Sequence, residues 1–141
     1  GYNSIESGSI VVKSSLGKPP LRWHTVHMIK RKNEMNTEVR SKMRGGSGEA
    51  RFTYLMNANE VPHARLFSTI TLDPGSSIGE HTHTNEIEYY WILQGEGVVT
   101  EQDGEKVVRE GDLVITGGGA SHAIRNEGTK PLCFLALIIL E

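Results

Sequence analysis

Residues 75–95 read GSSIGEHTHTNEIEYYWILQG and combine two closely spaced histidines with a dense aromatic and apolar run. His81 and His83 stand two residues apart, so on a strand their imidazoles project from the same face. Glu88 follows within a run of aromatic and β-branched residues that is typical of a strand. Neutral imidazoles beside a carboxylate suit a borderline divalent metal. The stretch therefore predicts strands that carry a metal site, although an isolated His-x-His pair is more typical of ordinary surface or core histidines.

Short strand-like segments separated by turn residues continue on both sides of this stretch. Alternating or dense apolar residues predict strands at 51–56, 66–72, 87–93, 95–100, 107–108, 113–116, 121–125 and 131–140. About eight or nine such strands, spaced by about 8–12 residues and without a convincing amphipathic helix, indicate an all-β sandwich or barrel. The segment 134–139 is apolar on both faces, so it needs cover from the barrel interior on one face and from a partner subunit on the other.

A second stretch, GDLVITGGGASHAIRN at residues 111–126, adds His122 on a predicted inward-facing strand. The spacing of the two stretches resembles the two motifs of the cupin superfamily. The first motif is matched at Gly75, His81, His83, Glu88 and Gly95. The second is matched at Gly111, Gly119, His122 and Asn126. The chain departs from the family at the proline position of the second motif, which is Gly117 here, and the resemblance covers about residues 50–140.

The resemblance implies an all-β fold, an antiparallel double-sheet jelly-roll barrel, with one divalent transition metal inside. The implied ligands are His81, His83, Glu88 and His122. Four protein ligands leave two positions of an octahedron open for water or substrate. The ligand set does not select the ion, and manganese, iron, nickel, cobalt, copper and zinc all stay open.

Three further residues are candidates for binding or catalysis. Tyr90 shares strand parity with Glu88, so it should face the cavity and could position a substrate or donate a proton. Arg65 begins the strand before the first motif and could bind a substrate carboxylate through two hydrogen bonds. Glu86 is a spare carboxylate near the mouth. The alternatives are a core aromatic for Tyr90, a surface ion pair for Arg65 and a solvated side chain for Glu86.

Other conspicuous residues are assigned structural roles. Trp91 and Tyr89 have the parity opposite to Glu88 and should pack between sheets or subunits. His63 follows a proline in a loop and is not expected to bind the metal. Cys133, at the start of a buried strand, is expected to act as a small hydrophobe and not as a nucleophile.

The chain divides into three segments by composition. Residues 1–27 are rich in Ser, Gly and Lys without an apolar period, and we interpret them as a non-native or disordered leader whose histidines, His24 and His27, are not ligands. Residues 28–49 form a basic N-terminal arm that ends in a Gly-Gly-Ser-Gly hinge, which is expected to be flexible. Residues 50–141 form the barrel.

Composition and charge exclude several classes of protein. The chain has 141 residues, of which 37% are hydrophobic and 23% charged, which is typical of one globular domain. A single cysteine excludes an internal disulfide framework. No apolar run is long enough for a membrane helix, and no secretory signal opens the chain, so a cytoplasmic protein without membrane contact is expected. The basic residues of the arm have no interleaved aromatics, and nucleic acid is not an expected partner.

Two classes of function stay open. The first is an enzyme that uses the metal on a small oxygenated or carboxylate-bearing molecule, as an oxalate-decarboxylase-like lyase, a dioxygenase or a sugar-isomerase-like protein. The second is a metal-dependent module that binds or senses a small ligand without turnover. Exposed strand edges favour a homodimer in which residues 132–140 and 51–56 pair or exchange across a two-fold axis.

Overall fold

The computed structural model describes residues 28–141. The predicted leader, with His24 and His27, lies outside the described residues. Within residues 28–141, ten strands follow one another: β1 (Asn36–Ser41), β2 (Glu49–Met56), β3 (Ala64–Leu72), β4 (Ser77–Thr82), β5 (Glu86–Gln94), β6 (Glu96–Glu101), β7 (Gly104–Arg109), β8 (Leu113–Gly117), β9 (Ser121–Arg125) and β10 (Leu132–Leu140). Single-turn 3-10 helices lie at Lys32–Glu34, Met43–Gly45 and Ala58–Glu60. No helix within 28–141 is long and apolar enough to cross a membrane.

The strands form two antiparallel sheets. The larger sheet has the order β1-β2-β3-β10-β5-β8, and the smaller has the order β4-β9-β6-β7. Every strand pairing is antiparallel. Apolar side chains that alternate along each strand fill the space between the sheets, because successive residues of a strand point to opposite faces. The predicted all-β double-sheet barrel is confirmed.

Strand β10 lies at the centre of the larger sheet. It pairs with β3 on one side and with β5 on the other. Its inward side chains are fully buried, whereas its outward ones, such as Leu135 and Leu137, are only half-buried. Since β2 is likewise paired on both sides, by β1 and β3, neither strand has a free edge. The expectation that these two strands carry exposed edges is therefore wrong for the described residues, and the homodimer itself stays a prediction.

The arm before the barrel is folded onto it. Strand β1 has six exposed residues, so its sequence shows no burial period, and the strand forms through backbone pairing with β2. The Gly-Gly-Ser-Gly segment is not a flexible hinge, because Ser47 Oγ donates to the Gly75 carbonyl at 2.7 Å and the Ser47 amide donates to Ser77 Oγ at 2.8 Å. A side chain at Gly79 would collide with the backbone of Arg44. The turn at 42–46 is thus packed directly against β4.

Candidate metal centre

Four side chains from both sheets meet at one point inside the barrel. His81 lies in β4, His83 directly after it, Glu88 in β5 and His122 in β9. One ligand atom of each lies within 4.8 Å of the others. His83, Glu88 and His122 are buried, and the His81 side chain is 8% exposed. The structure therefore brings together all four residues that the two sequence stretches predicted as metal ligands.

Two of the histidines are oriented by acceptors at Nδ1. His81 Nδ1 lies 2.8 Å from the carbonyl oxygen of Gly79, and because a carbonyl only accepts, this nitrogen carries the ring proton. His83 Nδ1 lies 2.5 Å from Glu86 Oε2, which is also an acceptor. Each neutral ring therefore presents an unprotonated Nε2 to the centre of the cluster, which is the form that binds a metal.

His122 is fixed from two directions. Its Nδ1 lies 2.8 Å from the hydroxyl oxygen of Thr116 at the end of β8, which can accept the ring proton. The Tyr90 ring stacks on the imidazole with centroids 4.9 Å apart and an interplanar angle of 14°. These contacts aim a third Nε2 at the same point as those of His81 and His83.

The spacing of the donor atoms fits one transition-metal ion. His122 Nε2 lies 3.0 Å from His81 Nε2 and 3.1 Å from His83 Nε2. Glu88 Oε1 lies 2.9 Å from His83 Nε2 and 3.0 Å from His122 Nε2. Neighbouring ligands of an octahedral ion with bonds of about 2.1 Å stand about 3.0 Å apart. Three converging lone pairs and an anionic oxygen are costly to bury unless a cation satisfies them, so the residues present fit a divalent metal.

The electrostatics of the cluster favour an ionised carboxylate and act in opposite directions on two of the histidines. Burial raises the pKa of Glu88, but its contacts with His122, His81 and His83 outweigh burial and hold that pKa well below its usual range. Burial lowers the pKa of His122 despite the nearby Glu88 carboxylate. For His83, the hydrogen bonds to Glu88 and Glu86 outweigh the effect of burial and raise the pKa. An ionised carboxylate thus lies beside a neutral His122.

Glu86 connects the metal cluster with Arg65. Its carboxylate accepts hydrogen bonds from Arg65 Nε and Nη2, both at 2.6 Å, in addition to its contact with His83. The Arg65 guanidinium lowers the pKa of Glu86 to about 2, against burial and with a further contribution from His83. Glu86 is 8% exposed, so the alternative of a solvated side chain is wrong. Arg65 is in the ion-pair arrangement, and direct contact of either residue with a substrate stays a prediction.

Tyr90 faces the barrel interior, as its strand parity predicted. It is 2% exposed, and its ring packs against Phe134 with centroids 4.6 Å apart as well as against His122. Burial and the negative charge of Glu88 raise the pKa of its hydroxyl well above the usual value. Tyr90 therefore stays protonated at neutral pH, and its role in catalysis stays a prediction.

A cavity of about 300 Å³ opens over the cluster. Its walls include His81, His83, Glu88 and Tyr90, together with residues of the arm and β2 that the sequence analysis did not single out: Arg40, Met43, Arg44, Phe52 and Tyr54. The sequence carries one signal for the arginines among them, the basic character of the arm at residues 28–49. Arg40 lies in β1, whose residues are all exposed and show no burial period, whereas Phe52 and Tyr54 belong to the strand that was predicted at 51–56.

The outward residues of the larger sheet form an apolar surface. Trp91 is 48% exposed, Leu113 53% and Ile115 59%. They lie in β5 and β8, next to the half-buried Leu135 and Leu137 of β10. The predicted outward parity of Trp91 is confirmed, and within the described chain nothing covers it fully.

Comparison with known proteins identifies the family. The family model "Cupin domain" matches residues 68–138. The Oxalate-binding protein of Thermotoga maritima is 43% identical over 114 residues, which are 80% of this chain and 94% of that protein. The crystal structure of a predicted oxalate decarboxylase from Thermotoga maritima superposes with a TM-score of 0.76 at 43% identity, covering 81% of this chain and 100% of that one.

A more distant structure, a sugar phosphate isomerase of the cupin superfamily from Silicibacter pomeroyi, has a TM-score of 0.63 at 16% identity and covers 77% of this chain and 73% of that one. That likeness shows the fold alone. The matched region of the family model contains all nine residues that match the two sequence motifs, and the three histidines and one glutamate of the cluster are among these nine. The chain belongs to the cupin family.

Proposed function

We propose that this cupin binds oxalate, or a closely related small carboxylate, on a divalent transition metal held by His81, His83, Glu88 and His122. The observation that carries the proposal is the convergence of three Nε2 atoms and one carboxylate oxygen at the wall of a cavity of about 300 Å³. The named function of the Thermotoga maritima relative, oxalate binding, supports the choice of ligand. Its volume lies at the lower end of the usual range for small-molecule sites, about 300–1,000 Å³, which favours a small ligand.

The residues around the metal cluster have different roles in the proposed binding of the ligand. A bound divalent ion supplies Lewis acidity and two coordination positions that suit the oxygens of a carboxylate ligand. Glu86 and Arg65 are positioning residues in this proposal, since Arg65 holds Glu86 and Glu86 holds the His83 ring. The Tyr90 ring stacks on His122 and so excludes water from that side of the imidazole. Because the pKa of its hydroxyl is raised, Tyr90 stays protonated and can donate a hydrogen bond.

Binding without turnover is favoured over decarboxylation by the lining of the cavity. Among the described residues that line it, Glu88 is the one carboxylate, and Glu88 belongs to the metal cluster. Glu86 does not line the cavity, and both of its oxygens accept hydrogen bonds. Decarboxylation needs a group that delivers a proton to the carbon left behind, and a free carboxylic acid is suited to that role. The lyase remains the second candidate, with Tyr90 as its proton donor.

Calorimetry and a product assay test this proposal. Purified protein is analysed for metals, reloaded separately with manganese, iron, cobalt, nickel, copper and zinc, and titrated with oxalate. We expect one metal per chain and saturable oxalate binding that disappears in the double variant His81→Ala/His122→Ala. Formate and carbon dioxide are measured in parallel, and their production at a steady rate would favour the lyase. Metal-loaded protein that shows no oxalate binding in the titration would contradict the proposal.

We also propose that the protein is a homodimer, with a second copy covering the apolar surface of Trp91, Leu113 and Ile115. The support is the continuity of this surface across β5, β8 and β10, whereas a lone chain would leave three large side chains about half exposed to water. Sedimentation should give twice the chain mass at micromolar concentration. The variant Ile115→Lys should give the chain mass, while Val107→Lys, exposed on the smaller sheet, should not.

A further inference from the structure

Arg44 differs from the other two arginines that line the cavity. Arg40 is paired with Glu38 at 2.8 Å, and Arg65 is paired with Glu86 at 2.6 Å. The Arg44 side chain lines the same cavity, and within residues 28–141 it forms no ion pair and no side-chain hydrogen bond. Its positive charge lies near enough to the Tyr90 hydroxyl to offset a small part of the rise in pKa that burial and Glu88 cause there. Among the described residues that line the cavity, Arg44 is therefore the one arginine without an anionic partner.

The backbone that carries Arg44 is held in an unusual conformation. Arg44 has φ 55° and ψ 31°, the left-handed region that non-glycine residues seldom adopt. The turn is closed by hydrogen bonds from the Gly45 amide to the Lys42 carbonyl at 3.0 Å and from the Lys42 amide to the Gly48 carbonyl at 2.9 Å. Gly79 of β4 leaves room for the Arg44 carbonyl. Contacts with the barrel thus fix the place from which this side chain reaches.

The charge of the site matches a dianion once Arg44 is included. Glu88 neutralises one of the two charges of a divalent ion, and the other titratable pairs at the cavity, Arg40 with Glu38 and Arg65 with Glu86, are neutral as pairs. The loaded cluster therefore carries one net positive charge, and Arg44 adds a second. A planar guanidinium also offers paired donors whose spacing matches the two oxygens of a carboxylate.

We propose that Arg44 is a specificity-determining residue that binds the outward-facing oxygens of a small dicarboxylate and selects the dianion over a monoanion of the same shape. This inference rests on the proposed function, since it concerns the ligand of the same metal cluster. The sequence places Arg44 outside both motif stretches, and its role depends on the packing of the turn at 42–46 against β4.

The test compares oxalate with oxamate, which keeps the shape of oxalate but replaces one carboxylate with an amide. Calorimetry is run on metal-loaded wild type, Arg44→Gly and Lys42→Gly. Glycine tolerates the positive φ of both positions, so both variants should melt at or above the wild-type temperature. Lys42→Gly is the matched control, because it removes one positive charge from the same turn at a residue that does not line the cavity.

We expect Arg44→Gly to weaken oxalate binding about 10- to 100-fold, as for loss of a charged hydrogen-bond pair, to change oxamate binding less than about threefold, and to keep one metal per chain. Lys42→Gly should bind both as wild type does. Unchanged oxalate binding in Arg44→Gly would overturn the inference and leave the proposed function standing. Equal losses for oxalate and oxamate, equal effects of both variants, or loss of metal would also overturn it. If wild type binds neither ligand, the proposed function fails and the inference with it.

Discussion

The carboxylate of Glu86 accepts hydrogen bonds from Arg65 and lies 2.5 Å from His83 Nδ1, so one side chain sets both the tautomer and the orientation of a ligand ring. Partners of this kind contribute to metal affinity without touching the metal. The chemical identity of such a hydrogen-bond partner also decides which ring nitrogen of the metal-ligand histidine carries the proton. The chemistry of the cluster thus depends on a residue that is absent from the cavity wall.

Glu86→Gln should weaken metal binding by about 10- to 100-fold, because an amide is a poorer acceptor for His83 and releases the Arg65 guanidinium. Competition with a chromophoric chelator measures the affinity. Glu80→Gln is the control, since Glu80 is an exposed glutamate next to a metal-ligand histidine and should leave the affinity unchanged. Equal affinities in wild type and Glu86→Gln would show that this contact does not orient the ring.

The same residue should affect acid stability in the metal-free protein. Arg65 lowers the pKa of Glu86 to about 2 from a usual value of 4.5. A depressed carboxyl pKa stabilises the folded state above the unfolded pKa, and this contribution is lost as the pH falls from about 4.5 toward 2. Urea unfolding at several pH values should therefore give a flatter acid limb for Glu86→Gln than for wild type or Glu80→Gln. Parallel curves would contradict the ion pair.

The four metal ligands could be predicted from the sequence, whereas the roles of the side chains around them, Arg44 and Glu86, could not. The four ligands are recognisable because the metal demands particular donors, which stand at fixed spacing within two sequence motifs: His81, His83, Glu88 and His122. Arg44 has no such constraint on its neighbours in sequence, because its position depends on a turn that packs against β4 from outside both motifs. The solvated alternative for Glu86 failed because its burial depends on Arg65, 21 residues earlier.

At the scale of the element, β10 combines two environments on one strand. Phe134 is fully buried and packs against the Tyr90 ring, whereas Ile139 at the far end is 36% exposed. Phe134→Ala should lower the free energy of unfolding by about 3–5 kcal/mol through lost burial and a residual cavity. Ile139→Ala, as the control, should cost less than about 1.5 kcal/mol. Denaturant unfolding measures both, and similar losses would contradict the burial pattern.

The strands that sequence analysis found are those with a buried face. Segments such as β3 and β10 alternate buried and more exposed residues, and this period is visible in the sequence. Strand β1 has no buried residue, since it is an edge strand held by its backbone pairing with β2. Its six residues could therefore not be told from an unstructured arm, and the same arm supplies Arg40 to the cavity.

Metal binding should stabilise the whole fold, because the four ligands come from three segments, β4 with the residue after it, β5 and β9, and are gathered only in the folded state. A metal at 100 times its Kd adds about 2.7 kcal/mol to the free energy of unfolding. Removal by a chelator should lower the Tm by several degrees in wild type and leave His81→Ala/His122→Ala unchanged. Differential scanning calorimetry measures the change in Tm. A wild-type Tm that does not change when the chelator is added would mean that the barrel holds no metal.

The stabilisation by metal should also depend on pH. Protonated imidazole cannot bind a metal, so protons compete with the ion for His81, His83 and His122. The metal-dependent rise in Tm should be largest at about pH 7–8 and should shrink as the pH falls, because the raised pKa of His83 lets a proton compete for that ring before it competes for His122, whose pKa is lowered. The same scans repeated across this pH range, with and without metal, give the difference directly. A rise that stays constant down to pH 5 would contradict histidine ligation.

The central place of β10 bears on how the protein is made. Its partners are β3, about 60 residues earlier, and β5, about 40 residues earlier, as in the pairs Leu132 with Leu72 and Leu135 with Trp91. During translation the ribosome therefore releases both neighbours before the strand that joins them, and each waits with an unpaired edge. The hairpin of β6 and β7 can form early, but the larger sheet closes only after β10 has left the exit tunnel. During that interval the nascent chain can bind chaperones or aggregate through these unpaired edges.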